Sequence, residues 1–193
     1  MRNPFLASLL VLFAAPLALA DNWAHWRGPS GNGTAANATP PTTWSATENV
    51  KWKVKIPGRG SGSPVIWDDK VFVVTAISGG GSSSSSADPT LQRPEQRGSR
   101  SGRGRGRGRG GPSGPLPSLD FQLLCFNRAD GELLWKRSCV TARPHQGTHS
   151  TNGFASASPC TDGKHVYAHF GSRGLYCFTM EGQPVWKRTD FGK

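Results

Sequence analysis

Two histidines four residues apart, His145 and His149, stand in a polar run from Ser138 to Gly153 that also holds Asn152. A His-x3-His spacing ligates a metal when a helix stacks both imidazoles on one face. Here Pro144 and Gly147 interrupt the run and no third ligand accompanies the pair, so no metal site is assigned. The reading retained is that His145, His149 and Asn152 line a ligand-binding face. The plainer alternative is a set of loop residues that hydrogen-bond one another. His165 and His169 are also four apart, but in a Val- and aromatic-rich stretch where a strand puts both on one side. They read as satisfied histidines at a sheet edge. His25, between Trp23 and Trp26, reads as packing.

Arginine supplies the second chemistry. Arg103, Arg105, Arg107 and Arg109 alternate with glycine inside 79–118, where seven arginines stand against Asp88 and Glu95. Much of the formal net charge of +11 therefore sits in one segment, and the remainder is only mildly basic. Arg-Gly tracts bind polyanions by charge and guanidinium stacking. The plainer account is a low-complexity expansion tolerated in a surface loop, because lengthening a loop costs little. Such a composition buries no core and is expected to be disordered. No residue is assigned a catalytic role: there is no nucleophile–base pair, Walker loop or Rossmann turn. Gly58-Arg59-Gly60-Ser61-Gly62 precedes no helix signal and reads as a turn.

Residues 1–20 combine a basic start, an apolar run from Phe5 to Leu19 and the small-x-small pattern Ala18-Leu19-Ala20. This is the pattern of a secretory signal peptide, cleaved after Ala20. The mature chain is expected in the periplasm or outside the cell, with no transmembrane segment. Four cysteines, Cys125, Cys139, Cys160 and Cys177, permit disulfides in that compartment. Cys125 and Cys177 occupy equivalent places in a repeat and read as small core residues. A Cys139–Cys160 pair stays open.

The elements that must position these groups are strands. Beyond residue 20, short β-branched and aromatic runs are separated by Gly, Asp, Asn and Pro, which is an all-β pattern. One order of features occurs twice: Ser-Pro, an Asp-Asp or Asp-Gly turn, Val-aromatic, Cys-Phe, an acid-Gly turn and Trp-Lys-Arg. The copies end at Gly131 with Trp135 and at Gly182 with Trp186, each holding four strands, a to d, the composition of a β-propeller blade. Trp52, in Asn49 to Val54, resembles the tryptophan of an isolated strand d and is a candidate closing strand. The predicted layout is an entry segment over 21–48, a first blade over 49–78 and 119–137 interrupted by the 79–118 insertion, and a second blade over 138–193. Two blades fall short of the roughly four to eight that close a ring. The chain is thus expected to be a fragment, or a subunit of a ring built from several chains.

The run Trp23-Ala24-His25-Trp26-Arg27-Gly28-Pro29, with Gly147 to Pro159 and Phe170 to Phe178, resembles bacterial PQQ-binding-like β-propeller repeat proteins of the planctomycete type. The resemblance implies an exported propeller that acts as a binding or assembly scaffold for a protein or small-molecule ligand. The alternative it implies is part of a PQQ-dependent quinoprotein dehydrogenase of alcohol or sugar type, with its active site elsewhere. The adjacent Cys-Cys pair of such dehydrogenases is absent here, so PQQ follows from the resemblance alone. In an a-to-d blade, the d–a and b–c loops share one end. That places Ser138 to Gly153 beside the 79–118 insertion and the Gly171-Ser172-Arg173 turn.

Overall fold

A computed structural model describes residues 22–36, 38–79, 115–149 and 151–191. Residues 1–20, expected to be a signal peptide, and Arg103, Arg105, Arg107 and Arg109 lie outside the described residues. Eight strands follow in chain order: β1 (Val65–Trp67), β2 (Lys70–Ser78), β3 (Leu119–Asn127), β4 (Leu133–Ala142), β5 (Cys160–Thr161), β6 (His165–His169), β7 (Leu175–Thr179) and β8 (Pro184–Arg188). They form two antiparallel four-stranded sheets, β1-β2-β3-β4 and β5-β6-β7-β8, neither closed on itself. Among the described residues there is no α-helix, and hence none long and apolar enough to cross a membrane.

The turns explain the register. Gly131 and Gly182, at φ +78° and +79°, close the β3–β4 and β7–β8 hairpins in a left-handed conformation that a Cβ resists. The 79–118 insertion leaves the β2–β3 ladder intact: Ser78 pairs with Leu119, and Gly79 N–H donates to Ser118 O at 2.8 Å. The stem is a regular hairpin, so the insertion length does not disturb the sheet.

Inner strands bury both faces, and each face has a different partner. Val65, Phe72, Cys125 and Trp135 form one row across the first sheet, in direct register. That row packs against Val166, Ala168, Phe170, Tyr176 and Phe178 of the second sheet, giving one core between the sheets. Fully burying a side chain of this size stabilises by about 1.5–3 kcal/mol. On the other face of the first sheet, Val71, Leu124 and Phe126 pack against Trp52 and Ile56.

Tryptophan–glycine contacts pin the end where the hairpin turns lie. Trp135 lies on Gly182, its ring 2.7 Å from where a Cβ would sit, and its indole N–H donates to Met180 O at 3.0 Å. Trp67 covers Gly163 in the β5–β6 turn. Trp52 repeats the Trp135 arrangement on Gly131, with its N–H on Arg128 O at 2.9 Å. Its segment, however, carries no ladder, because no neighbouring strand lies beside it among the described residues.

The entry segment ties the sheets together. Trp23 bridges to Ile66 through two backbone hydrogen bonds of 2.8 and 2.9 Å, and Ala24 O accepts from Thr161 N–H at 2.9 Å. His25 is half-buried, and its carbonyl caps the turn to Gly28, which sits under the Trp23 ring. All four cysteines are free thiols, so the pairing left open for Cys139 and Cys160 is not formed.

Candidate functional site

The end opposite the tryptophan–glycine contacts carries the long connections. The β4–β5 connection, residues 143–159, runs across the gap between the sheets. It meets the β6–β7 turn, a 3₁₀ turn at Gly171–Arg173, and the stem of the β2–β3 insertion. Among the described residues the two larger cavities that open there measure about 490 and 500 Å³. Gly153 and the half-buried Phe154 belong to both and form the partition.

The first cavity has an aromatic floor and a basic, polar rim. Phe121 and Phe170, whose rings stand 5.2 Å apart, line it with Phe154. His145, His169, Ser172 and Arg173 supply the rim. His145 Nδ1 lies 2.6 Å from Ser172 Oγ, which ties the β4–β5 connection to the β6–β7 turn. Arg173 crosses the same gap to the carbonyl of Arg143, and its carbonyl accepts the Tyr176 hydroxyl at 2.8 Å. Burial pushes the Tyr176 hydroxyl above the ordinary phenol range. The Arg173 Nε–H is buried with no acceptor, an arrangement that costs about 1–3 kcal/mol unless an acceptor arrives. His169 also meets Phe191 edge-on at 6.1 Å.

The second cavity holds the other two residues singled out from the sequence. His149 and Asn152 line it together with Arg59, Leu116, Leu119 and Thr148. His149 Nδ1 accepts the Thr151 backbone N–H at 3.3 Å and lies 2.8 Å from Thr151 Oγ1, which leaves Nε2–H as its outward donor. Asn152 Oδ1 accepts from Gly153 N–H at 2.9 Å and Ser156 Oγ–H at 2.8 Å, so its carbonyl shapes the loop.

His145, His149 and Asn152 therefore share one end of the molecule but not one cavity. Phe154 separates His145 from the other two. Among the described residues no three His, Cys, Asp or Glu side chains gather as a cation site. The sequence singled out neither Arg173 nor Phe154, and it took His169, which lines the first cavity, for a satisfied sheet-edge histidine. The loop-end placement of the Gly171-Ser172-Arg173 turn was the signal for Arg173. Phe154 and His169 depend on a packing between sheets that no local pattern encodes. Trp52, Trp135, Gly131 and Gly182 take part in the sheet-end contacts, whereas Trp186 is 43% exposed.

No protein-family model matches the chain, and no significant match to a curated protein is found.

Proposed function

We propose that the chain is an exported propeller-type scaffold of four-stranded blades that binds a ligand at its loop end. The observation that carries the reading is the basic, aromatic-floored cavity built where two sheets and two connections meet. Sites of this kind, apolar with a few convergent polar groups and between packed units, are the usual form of a ligand pocket. The repeated placement of Trp52 on Gly131 and Trp135 on Gly182 supports the blade reading, since the same contact recurs on the turn of each four-stranded sheet. Export rests on the leader-like pattern of residues 1–20.

The ligand chemistry follows from the walls. A planar ring fits against Phe121, Phe154 and Phe170, a carboxylate is the acceptor that the Arg173 Nε–H lacks, and His145 and His169 stand on the same rim. The scaffold accordingly takes aromatic carboxylates, a class that includes pyrroloquinoline quinone. No redox step is assigned to it. The quinoprotein dehydrogenase reading rests on the sequence resemblance, and no feature of the cavity adds to it.

The test is a titration with benzoate and with pyrroloquinoline quinone, followed by amide chemical shifts. Perturbations are expected at Phe154, His169 and Ser172, and Arg173→Gln is expected to weaken binding about tenfold, the scale of a charge-assisted hydrogen bond. Binding unaffected by Arg173→Gln, or shifts confined to the Trp–Gly end, would remove the proposal.

A further inference from the structure

The two sheets are built alike, yet among the described residues only the first has both faces covered. In the first sheet the row Val65, Phe72, Cys125, Trp135 faces the second sheet. The same register in the second sheet gives the row Cys160, Tyr167, Cys177, Trp186. That row lies on the face turned away from the first sheet, because Val166 and Ala168, which alternate with Tyr167 along β6, are the residues in the shared core. At the β8 end of the row Trp186 meets Tyr167 at a tilted 6.0 Å, is 43% exposed, and its indole N–H meets no acceptor among the described residues. Arg137, two residues after Trp135, donates to Gly182 O at 2.6 Å, whereas its counterpart Arg188 turns to Asp190.

A surface of matching chemistry exists elsewhere on the same chain. Val71, Val73, Leu124 and Phe126 on the outer face of the first sheet correspond in register to Val166, Ala168, Tyr176 and Phe178, the residues that receive the Trp135 row. Among the described residues the apolar cluster on this face is covered from outside the sheet by Trp52 and Ile56, on a segment with no ladder hydrogen bonds. Asp68, Asp69, Asp130 and Glu132 stand exposed at the turns beside Gly131, while Lys187 and Arg188 flank Trp186. The registers match, and the exposed charges on the two faces are of opposite sign.

We propose that the Trp186 face of β5–β8 docks a second copy of this chain, seating on the outer face of that copy's β1–β4 in place of its residues 49–56. Trp186 then lies on the second copy's Gly131 with its N–H on Arg128 O, as Trp52 does within one chain. Arg188 reaches Gly131 O as Arg137 reaches Gly182 O. The contact is head-to-tail, so it repeats from copy to copy and closes where the rotation allows. The inference rests on the blade reading and is independent of the loop-end cavity, so its failure leaves aromatic carboxylate binding untouched.

The experiment is light scattering on the wild-type chain, Trp186→Ala, Trp52→Leu and the double variant over a concentration series. Trp52→Leu loosens the segment that occupies the acceptor face and is expected to tighten self-association. Trp186→Ala, alone or combined, is expected to weaken it at least about tenfold, the scale of an anchoring tryptophan. A chain monomeric both as wild type and as Trp52→Leu overturns the proposal, as does association indifferent to Trp186→Ala. Should Trp52→Leu lose its β-sheet circular dichroism, a peptide spanning 49–56 is added in excess to the wild type. It is expected to drive the assembly to monomer, and an assembly that ignores it is the contrary result.

Discussion

Trp135 of the first sheet lies across Gly182 of the second and donates its indole N–H to Met180 O at 3.0 Å, so one side chain fixes both the spacing and the register of two sheets. A Cβ at residue 182 would enter the Trp135 ring and also oppose φ +79°. Gly182→Ala is expected to lower stability by about 1–3 kcal/mol, the range for a strained backbone site. Gly147→Ala is the control, because nothing lies within 4 Å of its added Cβ. Urea unfolding midpoints that shift equally in the two variants would contradict the contact.

Removing only the hydrogen bond isolates the second half of the Trp135 interaction. Trp135→Phe keeps an aromatic ring near Phe72, 5.8 Å away, but strands the Met180 carbonyl. A loss of about 1 kcal/mol is expected in equilibrium denaturation. Trp135→Ala, which also empties the space, is expected to cost about 3–5 kcal/mol.

Asp162 gives the second sheet a defined pH window. Its carboxylate accepts the backbone N–H of His165 at 2.6 Å and of Lys164 at 2.8 Å, and the Tyr167 hydroxyl at 2.8 Å. Those bonds hold it well below the usual carboxylate range of 3.8, and the bond to Asp162 pushes Tyr167 from 10.0 up to about 12. Both groups favour the same charged acid–neutral phenol pair. Its contribution is full between the two unfolded values, 3.8 and 10.0. It is lost as acid titrates toward the depressed Asp162 value and as base rises through about 12. Denaturant midpoints of wild type and Asp162→Asn are expected to converge below the ordinary carboxylate pKa. A constant gap across that range would show that the cluster does not carry the dependence.

The four thiols differ sharply in access. Cys160 is exposed, Cys125 and Cys177 are buried, and burial pushes the thiols of Cys125 and Cys139 up to about 12. A disulfide-exchange reagent at mildly alkaline pH is expected to label Cys160 first, with the others reacting only on unfolding. Rapid loss of a second thiol from the native chain, or a native Cys139–Cys160 bridge by mass spectrometry, would contradict the arrangement.

Much of the sheet structure is legible because it is local. The alternation of Val71, Phe72, Val73 and Val74 and the turn at Asp162-Gly163 specify strands and hairpins within a few residues of themselves. The end of the molecule that carries His145, His149 and Asn152 also follows from strand order. The division of that end into two cavities does not. It depends on where the Phe154 side chain falls when the β4–β5 connection crosses from one sheet to the next.

By itself the sequence determined an all-β chain with two copies of a four-stranded unit, because hydrophobic period, turn glycines and the Trp-Lys-Arg ending are short-range signals. Only the tertiary structure decided which face of each sheet is covered. It set Trp135 against Gly182, left Trp186 exposed, and brought Arg173 beside His145. Residues far apart in the chain meet through packing between sheets, and that packing is a property of two surfaces which no single strand contains.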